Sequence, residues 1–332
     1  MTACGWDEPD IVLVTGDAYV DHPSFGIAII SRVLEAAGHR VCILPQPQSA
    51  ADFERFGRPR LGFFVSGGNI DSMVAHYTAA KRRRSDDAYT AGGKAGRRPD
   101  RATIVYCRQI RTVYGDIPIV IGGLEASLRR FAHYDYWDDA VRPSILVDST
   151  ADLLVYGMGE RQDTEIADRL AAGEPVSSIT DIRGTCYLVP VRDYTPRPCA
   201  ECPSFERVRE PDESGKRQYA VASRIQQDEQ DAVRGKTVIQ RHGDRILVQN
   251  PPMPLLDTPA FDAVYELPYM RDYHPSYAPL GGVPGIEEVK FSLVHNRGCF
   301  GACNFCSIAF HQGRQIACRS EESVVREAEV LT

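Results

Sequence analysis

The sequence predicts an α/β protein built around a doubly wound parallel sheet. Two observations support this fold class. Apolar runs rich in β-branched residues alternate with helical patterns up to about residue 180, and most of these runs end at glycine. Ligands of such sheets bind beyond the carboxyl ends of the strands. We therefore expect a functional site where the glycine-bearing strand ends meet.

The predicted elements of this domain follow one another in chain order. Short apolar runs predict buried strands in "DIVLVTGD", "RVCILP", "RLGFFVSGG", "IPIVIGG" and "ADLLVYGMGE". Apolar residues at helical spacing predict helices in "GIAIISRVLEAAG", "NIDSMVAHYTAA", "RATIVYCRQIRTVYG" and "RQDTEIADRLAAG". The turn "GMGERQ" lacks the third glycine of the dinucleotide fingerprint, so it predicts no nicotinamide site. We assign residues 1–180 to this flavodoxin-like domain.

Residues 181–285 have the composition of a connector with small elements of its own. Prolines recur between residues 190 and 211, and "KRQYAVASRIQQDEQDAV" has the pattern of a polar helix. The segment "KTVIQRHGDRILVQN" alternates apolar and polar residues around a Gly-Asp turn, which predicts a β-hairpin. Cys199 and Cys202 form a C-x2-C pair, which is typical either of a plain turn or of a metal or redox site.

Composition indicates an ordinary globular protein of a reducing compartment. The chain has 332 residues, of which 43% are apolar and 25% charged, and a net charge of −7 that weighs against a general nucleic-acid binder. We find no secretory signal and no apolar run approaching the roughly 18 residues of a membrane span. Ten cysteines without an export signal predict reduced thiols or metal ligands, and hence a cytoplasmic location without membrane association.

One strongly basic loop interrupts the α/β pattern. It is either a solvated surface loop or a contact for phosphate or RNA, because clustered guanidinium groups bind phosphate oxygens. Its cations are Lys81, Arg82, Arg83, Arg84, Lys94, Arg97, Arg98 and Arg101.

Two carboxylates and one aromatic segment near the strand ends are further candidates. Glu125 and Glu160 either face a ligand or cap the amino terminus of a helix. The segment "FAHYDYWDDAVRPS" contains Tyr134, Tyr136 and Trp137, which either pack between domains or form a substrate platform.

The third predicted segment, residues 286–332, carries the most specific motif. Alternation in "IEEVKFSLVHN" predicts a strand that leads into three cysteines spaced C-x3-C-x2-C: Cys299, Cys303 and Cys306. Glycines within this loop let the backbone turn tightly, so that the thiols can converge. Ser320 is predicted to cap a following helix, whose apolar face would consist of Val324, Val325, Ala328 and Leu331.

Three thiolates at this spacing favour a [4Fe-4S] cluster with one iron left open for a substrate or cofactor. Two alternatives remain at this stage. A structural zinc site would use the same cysteines with His311 or Cys318 as the fourth ligand. A ferredoxin-like electron carrier would complete its ligand set with Cys318.

The cysteine spacing, with Phe305 directly before the last cysteine, resembles the signature of the radical S-adenosylmethionine (SAM) superfamily. "GDAYVDHPSFG", "FFVSGGNIDSMVAHYTAAK", "VIGGLEASLRRFAHYDYW", "PSFERV" and "RGCFGACNFCSI" are similar to the YgiQ family within it. The resemblance runs from about residue 10 to residue 329.

The resemblance implies a set of roles. Cys299, Cys303 and Cys306 would each bind one iron, and the amine and carboxylate of SAM would chelate the fourth. The reduced cluster would cleave SAM to a 5′-deoxyadenosyl radical, and Phe305 would lie beside the adenine. A flavodoxin or ferredoxin would donate the electron, and the substrate is not identified by the family.

The resemblance also bears on cobalamin and on the extent of the chain. The first domain is similar to cobalamin-binding domains, but Asp21, His22 and Gly26 do not have the D-x-H-x-x-G spacing, so cobalamin is a doubtful cofactor. Residues 286–332 would form only the first βα unit of a partial TIM-type radical SAM barrel, since a full barrel takes roughly 250 residues. We therefore expect a truncated barrel and an amino-terminal fragment that is inactive alone.

Overall fold

The computed structural model describes residue 1, residues 4–301, residue 303 and residues 305–331. Strands within these residues are β1 (Ile11–Thr15), β2 (Val20–Asp21), β3 (Val41–Pro45), β4 (Gly62–Ser66), β5 (Ile119–Gly122), β6 (His133–Asp135), β7 (Ala140–Arg142), β8 (Leu153–Val155), β9 (Thr185–Pro190), β10 (Ala200–Cys202), β11 (Val238–His242), β12 (Arg245–Gln249), β13 (Asp272–Tyr273), β14 (Asn296–Arg297) and β15 (Ala317–Cys318).

The α-helices are α1 (Gly26–Ala36), α2 (Ser72–His76), α3 (Ala102–Tyr114), α4 (Gly123–Leu128), α5 (Ile145–Ser149), α6 (Glu160–Ala171), α7 (Phe205–Val208), α8 (Glu213–Asp228), α9 (Thr258–Tyr265), α10 (Ile308–Gln312) and α11 (Glu321–Leu331). Short 3-10 helices lie at Ala50–Glu54, Ala91–Gly93, Val176–Ser178, Val191–Asp193, Pro275–Leu280 and Pro284–Ile286. In the described part of the chain, no helix is both long and apolar enough to cross a membrane.

A large mixed sheet organises the described residues, with strand order β10-β11-β12-β9-β8-β5-β4-β1-β3. The five strands from β3 to β8 are parallel, and their order along the sheet, second-first-third-fourth-fifth, is the flavodoxin-like one. The predicted doubly wound sheet is therefore confirmed. Its reversal point, where ligands of such folds bind, lies between β1 and β4.

Alternating strand residues fill a separate core on each face of the sheet. Val12 and Phe63 pack with the helix α3 residue Tyr106 on one face, whereas Leu13 and Phe64 pack against α1 and α6 on the other. The period of two along each strand sends successive side chains to opposite faces. Both faces are covered, so the central residues of these strands are apolar without alternation, as the sequence pattern indicates.

The sheet continues into the predicted connector. Strands β9, β12 and β11 add antiparallel neighbours beyond β8, and β11 and β12 form the predicted hairpin. The predicted polar helix forms as α8. The assignment of residues 181–285 as a separate connector stays a prediction, although these strands share the main sheet.

The strand predicted before the cysteine loop is wrong. Residues 287–291 form turns, and the amide groups of Val289, Lys290 and Ser292 donate to carbonyl groups three or four residues earlier. A strand requires a neighbour for its backbone polar groups, and the described residues place none beside this segment, so the backbone bonds locally. The two-residue strands β14 and β15 pair antiparallel with each other. The predicted barrel unit is therefore not shown.

The last helix, α11, forms as predicted but buries a different face. The Ser320 hydroxyl accepts a hydrogen bond from the Ser323 amide at 3.1 Å, which confirms the predicted cap. Ser323 and Glu327 are the buried side chains, whereas Val325 is 50% exposed. Arg319 explains the difference, because its guanidinium binds both Ser323 and Glu327 and draws this polar side of the helix inward.

Candidate functional site

The carboxyl ends of the parallel strands surround a cavity of about 440 Å³. Thr15 ends β1 and Asp17 follows it, Ser66 ends β4, and the turns after β5 and β8 complete the wall. The opposite wall comes from the cysteine segment, through Arg297 and other residues next to the loop. The predicted strand-end site is thus a real cavity, and the cysteine segment closes it.

Arg98 seals the reversal point of the sheet between β1 and β4. Its guanidinium lies 2.9 Å from Asp17 and 3.0 Å from Asp87, and all three side chains are buried. The Asp17 carboxylate also accepts a hydrogen bond from the backbone amide of Asn69 at 2.6 Å. Burial raises the pKa of Asp17 to about 6, against the opposing effect of Arg98. Arg98 is therefore a buried structural residue, although the sequence suggested it as one of the contacts for phosphate.

Glu125 caps two helices, which is one of its two predicted roles. One carboxylate oxygen accepts from the Ser72 amide at 2.8 Å, and the other accepts from the Thr103 amide at 3.1 Å. The side chain is buried, with 1% of its surface exposed. It thus satisfies amide groups in the first turns of α2 and α3, which have no partners within their own helices.

Two polar contacts tie the cysteine segment to the sheet. Arg297 at the end of β14 forms a buried ion pair with Glu160, the first residue of α6. The ring nitrogen Nδ1 of His311 in α10 lies 3.0 Å from the hydroxyl oxygen of Ser127 in α4. Burial and the nearby Arg130 lower the pKa of His311 to about 4, so the ring is neutral at pH 7. These contacts hold the loop over the strand ends.

Within the loop, glycine positions shape the cysteine arrangement. Gly298 has φ +88°, and any side chain there would collide with the Gln315 carbonyl oxygen. A Cβ atom at Gly301 would lie 3.4 Å from the sulfur of Cys299 and 3.6 Å from that of Cys303. The Gly301 amide donates to the Cys299 sulfur at 3.4 Å. Two of the thiols therefore lie on the same side of one glycine.

All three loop cysteines are free thiols available to a ligand. Cys299 and Cys303 are exposed, and Cys306 is half-buried. Within the part of the chain that the structure describes, no three His, Cys, Asp or Glu side chains are placed to hold one metal ion. A [4Fe-4S] cube takes each thiolate on a different iron, so its ligands need not converge on one point. The donor set fits such a cluster.

The residues considered as alternative metal ligands have other environments in the described structure. His311 is engaged by Ser127, and Cys318 is an exposed residue of β15 whose backbone neighbour is Asn296. Cys202 is buried in β10, and burial raises the pKa of its thiol to about 12. Cys199 approaches the Tyr194 hydroxyl at 3.9 Å. The described residues thus assemble neither the zinc site nor a C-x2-C metal site.

Phe305 and His22 occupy opposite environments. Phe305 is 92% exposed, so its ring is uncovered beside the cysteines. His22 is fully buried, and its Nδ1 accepts a hydrogen bond from the Ser24 amide at 3.1 Å. Burial lowers the pKa of His22 to about 4. His22 does not line the strand-end cavity, so it does not present a ligand there.

Sequence reasoning missed Arg297 and Asp163. Arg297 lies two residues before Cys299, and a charged residue entering a ligand loop is a signal that could have identified it. Asp163 lines the strand-end cavity three residues after Glu160. Burial, and then the negative charge of Glu160, raise the pKa of Asp163 to about 8. No sequence pattern marks a carboxyl group as buried in this way, because acids are common in the first turn of helices.

Relatives of the chain share its sequence over almost its whole length. A UPF0313 protein of Clostridium botulinum (strain 657 / Type Ba4) is 54% identical over 332 residues, which cover 98% of this chain and 50% of the relative. A UPF0313 protein of Clostridium perfringens (strain SM101 / Type A) is 57% identical over 334 residues, covering 100% of this chain and 50% of the relative. The chain therefore spans about half the length of the curated relatives that it matches.

The fold is shared with a solved structure. The radical S-adenosylmethionine methyltransferase TsrM from Kitasatospora setae, with tryptophan substrate and the SAM analogue aza-SAM bound, superimposes with a TM-score of 0.51 and 16% identity. The alignment covers 97% of this chain and 45% of TsrM. A family profile described as "Radical SAM N-terminal" matches residues 1–292. The chain belongs to the radical SAM N-terminal family.

Proposed function

We propose that this chain supplies the cluster ligands of a radical SAM enzyme. The observation that carries the proposal is the arrangement of the loop, where Cys299 and Cys303 flank Gly301 and Cys306 follows as a third free thiol. Three thiolates on one open loop match a [4Fe-4S] cluster with one open iron. When bound and reduced, such a cluster supplies a 5′-deoxyadenosyl radical from SAM.

The chain's own residues would orient the loop and its cofactor. Arg297 and His311 anchor the two ends of the loop to α6 and α4, so the thiols keep one position relative to the strand ends. Phe305 would stack against the adenine of SAM, for which its exposed ring is available. The Gly301 amide would donate to the Cys299 thiolate, which stabilises negative charge on that sulfur.

Cobalamin stays a candidate cofactor only if it binds without a ligand from His22. The strand-end cavity lies where doubly wound sheets bind ligands, which suits a cofactor. His22 is buried and does not line this cavity, so a corrin bound there would lack a histidine ligand from this position. If cobalamin binds, its visible spectrum should be the same with the native chain and with His22→Ala.

An electron donor and a location complete the proposal. A low-potential flavodoxin or ferredoxin would reduce the cluster. All ten cysteines are free thiols, which is typical of proteins in a reducing compartment such as the cytoplasm.

The test is anaerobic reconstitution of the chain with iron and sulfide. We expect a brown protein that holds iron and sulfide in equal amounts and whose reduced cluster changes its electron-spin signal when SAM is added. A colourless protein that retains zinc would instead indicate the structural site. An iron–sulfur signal that SAM leaves unchanged would indicate an electron carrier with a filled ligand set.

A further inference from the structure

Exposed cations and aromatic rings meet where residues 81–84 approach the β6–β7 hairpin. The ammonium of Lys81 lies 4.7 Å from the ring centroid of Tyr136, and the guanidinium of Arg83 lies 5.9 Å from that of Tyr77. Trp137 connects the two pairs, because its ring lies 5.7 Å from Tyr136 and 6.4 Å from Tyr77. We call this set the cation–aromatic surface; it comprises Tyr77, Lys81, Arg82, Arg83, Arg84, Tyr134, Tyr136 and Trp137.

The positive charge of this surface is largely unneutralised. Among the described residues, no carboxylate lies within 4.0 Å of Lys81, Arg82 or Arg84, and the carboxylate of Asp100 approaches Arg83 only to 3.9 Å. Two other arginines of the same basic loop are neutralised: Arg98 by Asp17 and Asp87, and Arg101 by Asp135 and Asp138. Most of the charge that remains free therefore lies in residues 81–84, where Lys81 and Arg83 lie over aromatic rings, whereas Lys94 and Arg97 lie at the other end of the loop.

Two of the rings, Tyr134 and Tyr136, are fixed at their hydroxyl ends and stay nearly half exposed, with Lys81 over one face of Tyr136. Tyr134 and Tyr136 are 47% and 45% exposed. The Tyr136 hydroxyl donates to the Ala79 carbonyl oxygen at 2.7 Å, and the Tyr134 hydroxyl donates to the Asp139 carboxylate at 2.5 Å. Rings held in this way lose little further conformational freedom when a flat partner stacks on them.

We propose that the cation–aromatic surface binds single-stranded RNA. Rings that alternate with cations suit a chain of bases joined by phosphates, since bases stack on aromatic faces while guanidinium groups contact the phosphates. An acidic protein or an anionic membrane would use the cations but not the ring faces. Unpaired bases are available in RNA loops, whereas duplex DNA hides its base faces. The proposal is independent of the iron–sulfur cluster.

The test measures binding of a short fluorescein-labelled single-stranded RNA of mixed sequence by anisotropy at several salt concentrations. Each phosphate contact on a single strand contributes about 0.7 to the slope of log K against log salt. Replacing Arg82, Arg83 and Arg84 together by alanine should therefore lower the magnitude of that slope by about 2. We also expect Tyr136→Ala to weaken binding roughly tenfold while leaving the slope nearly unchanged, because base stacking is not an ionic contact.

Matched controls separate this surface from general attraction to a polyanion. Lys94→Ala with Arg97→Ala removes two exposed cations from the other end of the same loop and should have a much smaller effect. Arg82→Ala alone is the safeguard against misfolding, because Arg82 is exposed and its side chain makes no hydrogen bond, ion pair or ring contact with the described residues. Thermal unfolding of each variant verifies the fold.

Three results would overturn the proposal. The first is equal RNA binding by the native chain and the triple-arginine variant. The second is an effect of the Lys94 and Arg97 pair as large as that of the triple variant. The third is binding to duplex DNA or to anionic vesicles that matches RNA binding and is insensitive to Tyr136→Ala, which would assign the surface to simple charge attraction.

Discussion

Arg297 and Glu160 form a buried ion pair that joins the entrance of the cysteine loop to the amino terminus of α6. Both residues are more than nine-tenths buried, and the Tyr265 hydroxyl accepts a further hydrogen bond from Arg297 at 3.2 Å. The guanidinium also lies 5.0 Å from the ring centroid of Phe261. One of the two contacts that hold the cysteine loop over the sheet therefore depends on this arginine.

We predict strong coupling between these two residues. Arg297→Met or Glu160→Gln alone leaves one polar partner buried without its counterpart, so each should lower the free energy of unfolding by about 3 kcal/mol. The double variant should lose clearly less than the sum of the two. Urea denaturation of the native chain, the two single variants and the double variant gives the coupling free energy between the two residues. Purely additive losses would show that the pair does not anchor the loop.

Glycine at position 298 is predicted to be essential for the cysteine loop. Gly298→Ala places a methyl group against the Gln315 carbonyl oxygen and strains a backbone with φ +88°, so the loop should lose its shape and most of its capacity for iron. Gly173→Ala is the matched control: its φ is +87° in the left-handed turn that ends α6, and no atom lies within 4 Å of the added methyl group. The control should cost about 1 kcal/mol of stability and keep iron binding. Equal iron content in both variants would contradict this role.

The carboxylate of Glu125 is predicted to stabilise two helices at once. Glu125→Gln replaces one acceptor oxygen with an NH2 group that faces a backbone amide, so the free energy of unfolding should fall by about 2–3 kcal/mol. Glu165→Gln is the control, because the Glu165 side chain is half exposed and its contact with Arg169 is 3.8 Å long. We expect that change to cost less than about 0.5 kcal/mol. Similar losses in the two variants, measured by urea denaturation, would rule out the capping role.

Asp163 is predicted to make stability depend on pH. Its pKa of about 8 in the folded chain exceeds its ordinary value of 3.8, so between these values the folded state holds a proton that the unfolded state releases. Stability from this group therefore falls as pH rises from 3.8 to 8. Asp163→Asn removes the effect, and its stability advantage over the native chain should grow by up to about 1.4 kcal/mol for each pH unit in that window. A difference that stays constant between pH 5 and pH 8 would refute the assignment.

The sequence predicted the parallel sheet well, because each of its strands is a short apolar run that can be recognised without the rest of the chain. Strands such as β1 and β4 are buried on both faces, so their central residues are apolar on both sides of the sheet, and a glycine follows each strand. The strand predicted at residues 289–293 shows the limit. Its alternation is real, but pairing depends on neighbours that no local pattern reveals, and the described residues supply none.

The candidate site likewise has a part that the sequence predicted and a part that it did not. The three cysteines are a sequence motif, so their spacing alone identified them. The contacts that position them, Arg297 with Glu160 and His311 with Ser127, join residues 137 and 184 positions apart. Charge pairing at that separation is determined by the folded chain, and the burial that shifts the pKa of Asp163 is equally invisible in the sequence.

The most direct test of the account is iron and sulfide uptake by the chain under strictly anaerobic conditions, compared with a variant in which Cys299, Cys303 and Cys306 are all alanine. The account predicts that the native chain binds iron and sulfide in equal amounts, that Cys199→Ser with Cys202→Ser retains this capacity, and that the triple variant loses it. Failure of the native chain to bind iron and sulfide, or equal binding by the triple variant, would contradict the proposal that Cys299, Cys303 and Cys306 hold a [4Fe-4S] cluster.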